Sequence, residues 1–131
     1  MRFASRFVVA SVLLLGACAH GTREFGSSNH HDPELITASE IAGVTTGSTV
    51  YDAIQRLRPA WLLRARPNPA LPNQILILYV DGQRYGGGID GLRTLPLRSA
   101  YSVEYLSATK AEARFGPGHS IGAIEVLTNP H

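Results

Sequence analysis

Four arginines, Arg56, Arg58, Arg64 and Arg66, surround Trp61, the single tryptophan of the 131-residue chain. Guanidinium groups meet carboxylates and phosphates through paired hydrogen bonds, and tryptophan anchors protein interfaces, so the cluster suits anion or partner recognition. The same residues also describe a core tryptophan with a solvated arginine rim. Gly86-Gly87-Gly88 could bring backbone N–H groups to a phosphate. A phosphate loop runs through Gly-Lys-Ser/Thr into a helix, however, and Ile89-Asp90 follows here. The glycine run is therefore expected to open an exposed, flexible loop. Asp81 and Asp90 could act as paired carboxylates, yet Asp81-Gly82 is explained more simply as a tight hairpin turn. Gly118-His119-Ser120 lacks the strand–turn–helix context of a nucleophile elbow. His30-His31-Asp32 could touch a metal but lacks the spaced ligands of a structural site, and His20, His119 and His131 add none. The expectation is a non-enzymatic protein without cofactor or metal.

Cys18 carries a different chemistry. Arg2 and Arg6 precede an apolar run over residues 7–15, and Leu15-Gly16-Ala17-Cys18 follows. A basic start, a short apolar middle and small residues describe a secretory signal, and the run is too short to span a bilayer. The pattern resembles a bacterial lipobox, in which the cut falls before a cysteine that carries lipid on its sulfur and its new amino group. The alternative is an ordinary signal cut after Ala17 or Ala19. Lipidation at Cys18 divides the chain into signal peptide 1–17, lipidated cysteine and tether 18–33, and domain 34–131. The mature chain of 114 residues would carry ten basic and ten acidic side chains and no further cysteine for a disulfide. Its neutrality removes the case for nucleic acid, and Tyr79, Tyr101 and Tyr105 fit strand packing better than base stacking. Ala19 after the cysteine points to the periplasmic face of the outer membrane. Several acyl chains make such an anchor stable.

The elements that must position these residues begin after the Gly- and Ser-rich tether. Residues 34–36 suit a short strand. Thr37-x-x-Glu40 and Thr49-x-x-Asp52 are capping boxes, the first opening a brief turn and the second a clearer helix. Val50, Ala53, Ile54 and Leu57 share one face of that helix, which Pro59 ends. Residues 62–73 contain three prolines and read as a loop. Residues 75–80 form a strand apolar on both faces, 101–106 a partly exposed strand and 123–128 a closing strand. Short helical turns fill 92–97 and 110–115. The order β, α, β, β, β predicts an α+β domain: a small mixed sheet, one main helix and short helical turns.

Taken in order, these segments resemble the plug domain of TonB-dependent outer-membrane receptors. ELITASEI resembles its opening strand and turn, and residues 49–61 resemble its helix and following Pro-Gly-Val element. ILILYVDGQRYGG resembles the strand ending in Val-Asp-Gly. LPLRSAYSVEYL and ARFGPGHSIGAIEVLT resemble its last two strands and their loops. The likeness spans residues 35–128. Ala60 replaces a glycine, Thr109-Lys110 stands where Gly-Pro is common, and no barrel sequence follows to His131. The resemblance therefore implies the fold and the use of loops for contacts, without pore gating. The expected contact surface joins residues 58–69 to 83–92, through Arg58, Trp61, Arg64, Arg66, Gln83, Arg84 and Tyr85. Its expected partner is an envelope or outer-membrane protein. The alternative is a small-ligand binder for a chelate or nutrient.

Overall fold

The computed structural model describes residues 31–66 and 68–130. Cys18, His20, His30, the signal sequence, most of the tether and His131 lie outside them. In chain order the elements are β1 (Leu35–Ile36), α1 (Ala38–Ala42), α2 (Val50–Leu57), α3 (Pro59–Arg64), β2 (Ile77–Val80), β3 (Gln83–Tyr85), α4 (Gly88–Thr94), β4 (Ser102–Leu106), α5 (Ala108–Phe115) and β5 (Ala123–Leu127). A 3₁₀ turn, Leu97–Ser99, precedes β4. The strands make one mixed sheet in the order β1-β4-β5-β2-β3, with β2 parallel to β5 and the other pairs antiparallel. This is the α+β class expected from the patterning.

Alternation along the strands feeds two cores. Ile36, Leu78, Val103, Tyr105, Ile124 and Val126 point to the face covered by Val50 and Ile54 of α2, Trp61 of α3 and Leu92 of α4. Ile77, Tyr79, Leu106 and Ala123 point the other way, against Ala111 and Phe115 of α5. Strand β2 is thus apolar on both sides because it is covered on both. Ile75, expected within that strand, precedes it and is 56% exposed.

Both capping boxes form as written: each threonine hydroxyl accepts an N3 amide, and Glu40 or Asp52 reaches back to the N-cap N–H. Three expectations need correction. Residues 62–64 are not loop, because Pro59 both follows the end of α2 and occupies the first turn of α3. An N1 proline forfeits only an N–H that would have no helical partner. Residues 83–85 are not loop either but the edge strand β3, turned through Asp81 (φ 48) and Gly82 (φ 76), the paired positive angles of a tight hairpin. The glycine run is likewise ordered. Gly87 (φ 92) caps α4 and Gly88 begins it, so the run makes the turn from β3 into a helix.

Candidate interaction site

Arg58 and Trp61 turn inward. The Nη2 group of Arg58 donates to the carbonyls of Asp32 (3.0 Å) and Leu35 (2.9 Å) and to Glu40 Oε1 (2.9 Å). Its Nη1 donates to Leu57 O at 3.1 Å. Trp61 is 2% exposed, its indole N–H donates to Pro33 O (2.9 Å), and its ring lies 5.8 Å from that of Tyr105. These two candidate contact residues therefore tie residues 32–35 to the junction of α2 and α3. Trp61 is a core residue, and the guanidinium of Arg58 is spent on carbonyls and the partly buried carboxylate of Glu40.

The Glu40 carboxyl shows the same balance. Burial alone would raise its pKa, but bonds from the Thr37 backbone, Arg58 and the Thr37 hydroxyl outweigh burial and hold it below its ordinary 4.5. Asp52 is held below 3.8, first by the Thr49 hydroxyl and then by the backbone N–H groups of Thr49 and Ser48.

Gln83, Arg84 and Tyr85 lie together on β3, and Tyr85 leans on α4 with its hydroxyl 3.4 Å from Thr94 Oγ1. Arg64 places its guanidinium 5.2 Å from the Tyr105 ring centre. Only Arg66 among the seven named contact residues borders a groove shared by three helices. That groove, about 340 Å³, is bounded by Tyr51 and Gln55 of α2, Pro59, Leu62 and Leu63 of α3, Arg66 just beyond it, and Ile89 and Arg93 of α4. Tyr51 and Gln55, like Ile89 and Arg93, stand four residues apart and so share a helix face. The Arg93 guanidinium sits 3.6 Å from the Tyr51 ring centre and 3.8 Å from Asp90. Leu63 is 59% exposed at the rim. Segments 58–69 and 83–92 do converge here, through Leu62, Leu63, Arg66 and Ile89 rather than through Arg58, Trp61 or β3.

Tyr51, Gln55 and Arg93 carry no motif. The available signal was their i,i+4 spacing with exposed or aromatic character, which marks a face without saying what it meets. Ile89 also lines an adjoining hollow with Gln74, Ile75, Gly87, Gly88 and Asp90, so the surface continues to the exposed Ile75. A separate hollow of about 560 Å³ lies between α1 and the 3₁₀ turn, lined by Ile41, Val44, Thr49, Pro96, Leu97 and Arg98 among others.

On the opposite face the buried polar groups hold one another. His119 is 2% exposed, and its Nδ1 lies 2.8 Å from the Gly116 carbonyl. In the neutral ring that nitrogen must carry the proton, so Nε2 accepts from the Tyr79 hydroxyl at 2.8 Å. Tyr79 in turn stacks on Phe115 at 3.7 Å. Buried Glu125 meets Arg114 Nη1 at 2.6 Å. Asp81 does more than turn the hairpin: its carboxylate accepts from the N–H (2.8 Å) and hydroxyl (2.6 Å) of Thr128. It stands in an end-of-sheet clasp. Among the described residues no group of three His, Cys, Asp or Glu could hold a metal ion, and no helix is long and apolar enough to cross a membrane. Comparison with known proteins finds no matching family model, no matching curated protein and no matching solved structure.

Proposed function

We propose that this chain is a non-enzymatic interaction module of the cell envelope, a plug-like α+β domain lipid-anchored through Cys18 at the periplasmic face of the outer membrane. The lipobox-like Leu15-Gly16-Ala17-Cys18 supports the anchor, and the ordered plug-like segments over 35–128 support the kinship. The observation that carries the interaction role is the convergence of α2, α3 and α4 on one open groove with an exposed leucine and two arginines on its rim. Exposed apolar side chains beside arginine and tyrosine have the composition of interface anchors. The partner is an envelope protein.

Expression of the full chain in a diderm bacterium tests both parts. Palmitate label should appear on the wild type, vanish in Cys18→Ser and fractionate with the outer membrane. Chemical crosslinking followed by affinity capture should return the same envelope protein repeatedly. An unlabelled chain removes the anchor, and no envelope partner under several growth conditions removes the interaction role.

A second reading is a small-ligand binder, favoured by the hollow of about 560 Å³ beside α1, which lies in the size range of ligand sites. A metal-chelate and nutrient panel that raises the melting temperature without any captured protein would select it.

A further inference from the structure

Charge is divided unevenly between the two faces of the sheet. The helical layer and its connections carry Arg56, Arg58, Arg64, Arg66, Arg93 and Arg98 against Glu40, Asp52 and Asp90. The α5 side carries Glu34, Glu104, Glu112 and Glu125 against Lys110, Arg114 and Arg84, the last on β3 opposite Tyr79. Two of these cations are engaged: Lys110 pairs with Glu34 at 2.6 Å, and Arg114 with Glu125. Among the described residues Arg66 forms no ion pair, and Arg93 reaches Asp90 only at 3.8 Å.

The positive excess thus gathers on the face that carries the groove. Tyr51, Leu62 and Ile89, all half-buried, line it together with the exposed Arg66 and Arg93. Stacking on Tyr51 holds the Arg93 guanidinium in place, which lowers the ordering cost of binding a carboxylate.

We infer that the groove between α2, α3 and α4 takes a short acidic segment of a partner protein, seating an apolar side chain on Tyr51, Leu62 and Ile89 while flanking carboxylates meet Arg66 and Arg93. This names the partner chemistry of the interaction role proposed above and rests on it. Charge complementarity selects an acidic occupant. The concavity selects a protruding side chain over a flat lipid surface, because a recessed floor cannot reach into a bilayer. A second copy meeting the same face across a two-fold axis fits poorly, since arginines would meet arginines.

The test uses the mature chain, residues 18–131 produced without the signal sequence and carrying Cys18→Ser so that it is not lipidated, and a random twelve-residue peptide display library. Enriched peptides should place Asp or Glu within a few positions of Leu, Ile, Phe or Trp. Synthetic copies should lose about tenfold or more in affinity against Arg66→Glu or Arg93→Glu, and weaken as salt rises. Circular dichroism of each variant establishes that it folds, and Glu112→Lys on the other face should leave affinity unchanged. The inference is overturned if nothing enriches, if enriched peptides lack acids, or if Arg66→Glu and Arg93→Glu bind as tightly as the parent. Binding of phosphatidylglycerol vesicles, lost in the same two variants and unmatched by any peptide, overturns it in favour of a membrane surface. If the native chain still crosslinks to an envelope protein after both reversals, the groove assignment fails while the interaction role stands.

Discussion

Arg58 illustrates how one side chain can serve the fold while having the composition of a contact. Three acceptors converge on its Nη2, and its side chain is 12% exposed beside a Glu40 side chain that is 11% exposed. Removing it leaves a nearly buried carboxylate and three carbonyls, of Asp32, Leu35 and Leu57, without that donor. Arg58→Ala should therefore cost about 3 kcal/mol in urea unfolding, and Arg58→Lys should restore less than half, because an ammonium lacks the planar fork. A loss under about 1 kcal/mol would make Arg58 an ordinary surface charge. Glu40 also fixes a pH dependence. Its folded pKa lies below 4.5, so the stability it contributes is complete above the unfolded value and is lost as pH falls through the folded one. Urea midpoints should drop as pH falls from above 4.5 through the folded pKa, and Glu40→Gln should flatten part of that slope. A slope unchanged by Glu40→Gln would assign acid sensitivity elsewhere, with Asp52 the next carboxylate to test. The bonding of Arg58 and Trp61 to residues 32–35 was not readable beforehand. Their partners are backbone carbonyls more than twenty positions away, and a carbonyl has no sequence signature.

Elements held by local bonds were legible, and elements defined by distant contacts were not. Thr37 with Glu40 and Thr49 with Asp52 close their own boxes three residues apart, so α1 and α2 announced their starts. Strand β2 showed itself through apolar residues on both alternations. Strand β3 could not, because its three residues are all exposed and no burial pattern marks an edge. Helix α3 was obscured by proline's double role, as a terminator inside a helix and an opener at its first turn. The glycines repeat the point at the level of packing. Gly91 looks like an ordinary helix interior residue, but a Cβ there would meet Gly86 O at 2.5 Å and Leu78 Cδ2 at 2.9 Å. Gly122 combines φ 88 with a Cβ position that overlaps the Leu106 carbonyl. Gly91→Ala should lower stability by roughly 2 kcal/mol and Gly122→Ala by more, since the second adds backbone strain to overlap. Thermal melts of the two variants check the order. An unperturbed Gly122→Ala would contradict the close approach of β4 and the loop before β5.

Across the whole domain, the sheet separates a basic helical layer from an acidic face closed by α5. The described residues carry nine basic and nine acidic side chains, and that balance conceals the polarity, which is why counting charges argued against a nucleic-acid partner without revealing a polarised surface. The candidate segments were found by composition, yet only their meeting at Leu62, Leu63, Arg66 and Ile89 forms the groove, and that meeting depends on α2 packing against both α3 and α4. The interaction role is tested most directly by a photoreactive amino acid placed at Leu63, at the groove rim, or at Glu112, on the α5 face, followed by irradiation of intact cells. A discrete adduct with one envelope protein is expected from position 63, none from position 112, and loss of the adduct when Arg66 and Arg93 are both changed to Glu. Equal adducts from both positions, or none from position 63, would contradict that role.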